Sequence, residues 1–132
     1  MNAAAERPIT VLIVDDSALV RRTIRRLVEE SPDLRVVGEA RDGAEAIDRA
    51  ARLSPTVVTL DVDMPVMDGL SALPRLVQDY RQRVVMLSTL TTAQAYPTFK
   101  ALALGAIDFV TKPGIGTYLR NLDDLGVEIR EK

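Results

Sequence analysis

The sequence predicts an α/β domain built on a doubly wound, five-stranded parallel sheet with helices on both faces. Short apolar runs alternate with helical patterns five times, the arrangement expected of βα units around a parallel sheet. The third run, Thr56 to Leu60, carries no charge, as suits a central strand covered on both sides. Four charges stand where apolar runs stop: Asp15 and Asp16 after Val14, Asp61 after Leu60, and Lys112 just past Val110. Strand carboxyl ends in an open α/β sheet share a ligand-binding crevice, so these charges are predicted to form one site.

The first strand is Val11 to Val14. Leu19, Val20, Thr23, Ile24, Leu27 and Val28 follow at helical spacing, so a first helix is predicted with these six as its buried stripe, stopped by Pro32. Strand two spans Leu34 to Glu39. Asp42-Gly43 turns the chain into a short helix with Ala46, Ile47 and Ala50 inward, and Ser54-Pro55 stops it. After strand three, Asp68-Gly69 opens a third helix with Leu70, Leu73, Leu76, Val77 and Tyr80 inward. Strand four is Val84 to Leu87, helix four Thr91 to Leu104 with Gly105 as its C-terminal cap, and strand five Asp108 to Thr111. Leu119, Leu122, Leu125 and Ile129 then mark a fifth helix over Thr117 to Lys132, interrupted by Gly126. Pro74 and Pro97 each remove a backbone donor inside a predicted helix, so those helices are expected to start late or kink.

Composition narrows the function. At 132 residues, 47% hydrophobic and 27% charged, the chain fits one globular domain. A net charge of -2 gives no electrostatic reason for binding nucleic acid or anionic membrane. Without cysteine there is no disulfide and no thiolate metal site; without histidine there is no Ser-His-Asp or Cys-His catalysis. No signal peptide and no run of about 18 apolar residues appears, so the cytoplasm is the expected compartment. Three carboxylates in one crevice repel unless a hard cation sits among them, and Mg²⁺ takes such oxygen ligands. The lysine then serves as a point charge for an anion such as phosphate. On helix one, Arg21, Arg22, Arg25 and Arg26 form a basic patch that is expected to be a solvated face, with Glu29 and Glu30 as i,i+4 partners of Arg25 and Arg26.

Three segments in this order carry a resemblance: Val11-Leu12-Ile13-Val14-Asp15-Asp16-Ser17, Leu60-Asp61-Val62-Asp63-Met64-Pro65-Val66-Met67-Asp68-Gly69, and Leu104-Gly105-Ala106-Ile107-Asp108-Phe109-Val110-Thr111-Lys112-Pro113. From about Thr10 to Pro113 the chain resembles the receiver domain of bacterial two-component response regulators, a flavodoxin-like, CheY-like fold. Together with Val85-Met86-Leu87-Ser88-Thr89-Leu90-Thr91, it is similar to the receiver of the chemotaxis protein-glutamate methylesterase regulators, CheB. The resemblance implies that Asp61 accepts a phosphoryl group from a CheA-like histidine kinase. Asp15, Asp16, Asp61 and the backbone carbonyl of Asp63 would hold Mg²⁺, and Lys112 would pair with a phosphoryl oxygen. Ser88 would be the switch hydroxyl and Phe109 the aromatic switch. The family pattern also suggests a cis Lys112-Pro113 bond, which the residues by themselves leave open.

The implied organisation is a flexible tail over residues 1–9, a receiver over 10–116, and a fifth helix over 117–132 that begins a connector to an absent methylesterase output domain. Such a fragment has no turnover beyond its own phosphorylation and dephosphorylation. The parent protein would meet chemoreceptors, with no nucleic-acid contact and no membrane insertion. Two other readings compete: a stand-alone or DNA-binding-type regulator, and a phosphatase of the haloacid-dehalogenase type, which Leu60-Asp61-Val62-Asp63 also resembles. Against the phosphatase stands motif order, since that family places its nucleophile loop before its acidic pair.

Overall fold

The computed structural model describes residues 8–62, 64–88, 102 and 104–120. Five parallel strands, β1 (Ile9–Val14), β2 (Leu34–Ala40), β3 (Val57–Asp61), β4 (Arg83–Ser88) and β5 (Asp108–Thr111), form one sheet in the order β2-β1-β3-β4-β5. The chain winds outward from β1 to β2, then returns past β1 to β3, so the switch point of the topology lies between β1 and β3. All five residues of β3 are buried, the uncharged run Val57 to Leu60 as a central strand should be and Asp61 with it. On the edge strand β2 the register with β1 slips, Val11 facing Val36 and Leu12 facing Gly38, so Val37 is the extra residue of a bulge. β1 starts at Ile9, which is 1% exposed and paired with Leu34, so the expected tail ends before it. Strand ends otherwise differ from expectation by at most one residue, and β5 matches at both ends.

Side-chain caps start the helices. In α1 (Ala18–Glu29) Ser17 accepts the Val20 N–H; in α2 (Gly43–Leu53) Asp42 accepts that of Glu45; in α3 (Gly69–Pro74) Asp68 accepts that of Ser71. Asp42-Gly43 and Asp68-Gly69 are therefore helix starts, each acid satisfying a donor that the helix leaves free. Ser54, in a left-handed conformation at φ 46°, closes α2. At Pro74 the helix does not start late: α3 begins at Gly69, ends at Pro74, and a π-helical turn, Arg75–Asp79, follows. The expected helix four and Pro97 lie outside the described residues, apart from Leu102, which is helical, and Leu104, the expected last residue, which is already in a turn. The Gly105 N–H bonds to the Leu102 carbonyl, and Gly105 has φ 108°, consistent with the predicted cap. A 3-10 turn at Lys112–Gly114 leads into helix over residues 115–120, so the last helix begins before Thr117. No peptide bond among the described residues is cis, Lys112-Pro113 included. Among them, too, no helix is long and apolar enough to cross a membrane.

The two faces of the sheet carry separate apolar layers. Leu12, Val14, Val58, Leu60, Val84 and Met86 pack with Ala46, Ile47, Ala72, Leu73 and Leu76 on one side. Val11, Ile13, Val57, Val85 and Leu87 pack with Ile24, Val28, Ile115 and Leu119 on the other. In α1, Ile24 and Val28 are buried and Val20 and Leu27 pack beside them, but Leu19 is 68% exposed and Thr23 is exposed as well. Residues 19 and 23 are one helical step apart and sit at the margin of the stripe, outside the width that the sheet covers.

Candidate phosphoacceptor and cation site

Of the two strands that flank the switch point, β3 ends in Asp61 and β1 ends one residue short of Asp15, as β5 does of Lys112. Parity along the strands puts Asp15 and Asp61 on the face that α1 covers, one row beyond Ile13 and Val85, and Lys112 on that face one row further. Asp15 is fully buried and Asp61 is 3% exposed. The Lys112 ammonium lies 2.9 Å from Asp15 Oδ2 and 3.3 Å from Asp61 Oδ1, joining the two carboxylates. Thr111 holds this lysine in place, its hydroxyl accepting the Gly114 N–H and closing the turn that Lys112 opens. Asp16, next along the chain, is exposed and completes a trio whose carboxylate oxygens lie within 4.8 Å of one another.

The electrostatics follow from this crowding. Burial, then the Asp15 charge, push Asp61 up to about 6, against the opposing pull of Lys112. Burial lowers the Lys112 ammonium, but its hydrogen bond to Asp15 and the charges of Asp61 and Asp15 outweigh that and hold it above the ordinary lysine value. One lysine thus serves two buried acids, and a third acid stands at the rim. The donor set is all hard oxygen, which suits a small divalent cation.

Ser88 is the last residue of β4, buried and in register with Thr111. Phe109 is half-buried on β5 opposite Met86, against the apolar layer of α2 and α3. Ser88 thus lies on the strand beside β3, and Phe109 one strand further out, on the face opposite the acidic cluster. Asp63 falls outside the described residues. Beyond β3, Met64 packs on the core while Pro65 and Val66 are exposed.

The Arg21 geometry departs from the sequence reading of a solvated patch paired with Glu29 and Glu30. Arg21 Nε donates to Glu39 Oε1 at 2.9 Å, Arg25 Nε donates to Glu39 Oε2 at 2.9 Å, and a second Arg21 nitrogen donates to the Asp15 backbone carbonyl at 2.7 Å. Burial raises the Glu39 carboxyl, but the bonds to Arg25 and Arg21 outweigh this and hold it below the usual carboxylate range. The overlooked signal is Glu39 itself, a charge near the end of a strand that must neighbour both β1 and α1.

A model of the response regulator receiver domain matches residues 11–121. The chain is 49% identical over 125 residues to a protein-glutamate methylesterase/protein-glutamine glutaminase of Moorella thermoacetica, covering 95% of this chain and 29% of that protein. It is 47% identical to the protein of that description from Pyrococcus abyssi, covering 95% and 35%. The chain therefore spans about a third of the length of these curated relatives. Among solved structures, the response regulator domain of Thermotoga maritima CheB matches with a TM-score of 0.78 at 41% identity, covering 95% of this chain and 96% of that one. A chain from the complex of the P1 domain of CheA3 with CheY6 of R. sphaeroides matches with a TM-score of 0.77 at 34% identity, covering 92% and 98%. With that identity held over nearly its whole length, the chain belongs to the response-regulator receiver domains and, among them, to the CheB type.

Proposed function

We propose that Asp61 is the phosphoacceptor of this receiver, with a phosphohistidine on a CheA-like kinase as donor. The observation that carries this reading is the Lys112 ammonium set between Asp15 and Asp61 at the switch point of the sheet. An Asp61 oxygen attacks phosphorus, a P–O bond forms as the P–N bond to the donor imidazole breaks, and an acyl phosphate remains on the chain. Asp15, Asp16 and Asp61 would hold Mg²⁺, with the Asp63 carbonyl as a further ligand. When bound, the cation neutralises charge on the phosphoryl oxygens. Lys112 then pairs with a phosphoryl oxygen, as its position beside the Asp61 carboxylate allows. Ser88 donates its hydroxyl to another, and the Phe109 ring follows the loop that Ser88 draws inward.

The output is a methylesterase domain beyond the receiver, reached through a connector that begins within 117–132, in a cytoplasmic protein that acts on chemoreceptors. The lengths of the curated relatives support this, since the chain matches about a third of each. Incubation with acetyl phosphate and Mg²⁺ should add one phosphoryl group to the wild type and none to Asp61→Ala, read by intact-protein mass. EDTA or Asp16→Ala should abolish the addition. Equal labelling of Asp61→Ala would refute the acceptor, and labelling that survives EDTA would refute the cation site.

A further inference from the structure

The Asp15-Asp16 turn is tied to β2 through both of its backbone polar groups. The Asp15 N–H donates to the Ala40 carbonyl at 3.1 Å, and the Asp15 carbonyl accepts from Arg21 at 2.7 Å. Arg21 is only 14% exposed and is fixed by Glu39, which is in register with Ile13 and is gripped on its other oxygen by Arg25. A peptide unit is planar, so the direction of the Asp15 carbonyl sets where the Asp16 Cα can lie. The next amide is pinned as well, since the Ser17 N–H donates to Asp15 Oδ1 at 2.9 Å.

We infer that Arg21, braced by Glu39, is a positioning residue that orients the Asp15-Asp16 peptide so that both carboxylates address one cation. This rests on the reading of the acidic trio as a cation site. Groups that orient metal ligands from outside the coordination sphere typically change affinity by about 10 to 100-fold when removed. The sign of the effect is diagnostic here. The guanidinium charge by itself repels a cation, so a purely electrostatic Arg21 would weaken Mg²⁺ binding and its removal would tighten it. A positioning Arg21 does the reverse.

The test is a Mg²⁺ titration of the full chain, followed by the amide shifts of Asp16 and Ser17, on the wild type, Arg21→Gln, Glu39→Gln, the double variant, Arg25→Gln and Asp16→Ala. Arg21→Gln should weaken binding about 10-fold or more, and Glu39→Gln several-fold. The double variant should bind no worse than Arg21→Gln, because Glu39 acts through Arg21. Arg25→Gln, which touches Glu39 but not Asp15, should stay close to wild type. Unchanged or tighter binding by Arg21→Gln, while Asp16→Ala loses binding, would overturn the positioning role and leave the cation site standing. Absence of Mg²⁺ binding by the wild type would remove the cation site and this inference with it. Should Arg21→Gln fail to fold, Glu39→Gln decides, and wild-type affinity in that variant overturns the proposal.

Discussion

Asp61 is ionisable, buried and crowded, and those properties oppose one another. Its folded value of about 6 lies above the 3.8 of a free aspartate, so the folded state binds the proton more tightly than the unfolded state does. The resulting stabilisation is fully present below about pH 4 and is lost as pH rises through 6. At neutral pH the ionised carboxylate is a liability of about 3 kcal/mol. Asp61→Asn, which keeps the shape without the charge, is expected to match the wild type in stability near pH 4. It should exceed it by an amount that grows from pH 4 to 6 and then levels off, as urea melts across that range would show. Saturating Mg²⁺ should narrow the gap, and a gap independent of pH would contradict the assignment. Val66 makes a different kind of residue-scale cost. It is β-branched, 86% exposed, and has φ 66°, in the left-handed region that such side chains avoid. That conformation costs about 1 to 2 kcal/mol, and burial returns nothing, so Val66→Asn should stabilise by about 1 kcal/mol, measured by the same melts.

Among the elements, the contact between the start of α3 and the end of β3 is the tightest near the site. A Cβ on Gly69 would overlap the Asp61 backbone carbonyl oxygen and crowd Met86, while the Gly69 N–H bonds to the Val62 carbonyl at 2.9 Å. Gly69→Ala must therefore push α3 away from the strand that carries the acceptor. A destabilisation of about 3 kcal/mol, at the upper end of overpacking costs, is expected together with loss of acetyl-phosphate labelling. Wild-type labelling would show that the acceptor strand had not moved. The sequence revealed much at this scale, and for a clear reason. Strands show as apolar runs because both faces of the sheet are covered, and helix starts show because Asp42, Asp68 and Ser17 are caps that act within a few residues. The four charges were legible because parallel strands all deliver their carboxyl ends to one side. Local periodicity could not reveal the Glu39 clamp, whose partners lie 14 and 18 residues away in sequence. Nor could it show that Leu19 stands outside the covered stripe, since that depends on how α1 is laid across the sheet.

At the scale of the whole molecule, a parallel sheet survives only if both faces are dry. The face opposite α2 and α3 is closed by α1 and by residues 115–120, with Ile115 at 3% and Leu119 at 2% exposure beside Val11, Val57 and Val85. The last helical residues are therefore part of the sheet's cover, and Ile115 and Leu119 belong to its core. Tyr118 gives a second tie across the same boundary. Burial, then the charge and hydrogen bond of Asp108, push its phenol up to about 12, so it remains a neutral donor to β5 at any ordinary pH. Leu119→Ala leaves a cavity in this layer and should cost about 2 to 5 kcal/mol. Ending the chain at Gly116 removes Leu119 and the Tyr118 hydrogen bond together and should cost at least as much. The acidic cluster and Lys112 are untouched by either change. At a temperature where both proteins remain folded, Leu119→Ala should thus still be labelled by acetyl phosphate, with a lower Tm as the main effect. Melting points equal to wild type for both changes would mean that residues 117–120 do not help hold the sheet. Loss of labelling in a folded Leu119→Ala would mean instead that this helix supports the site as well as the core.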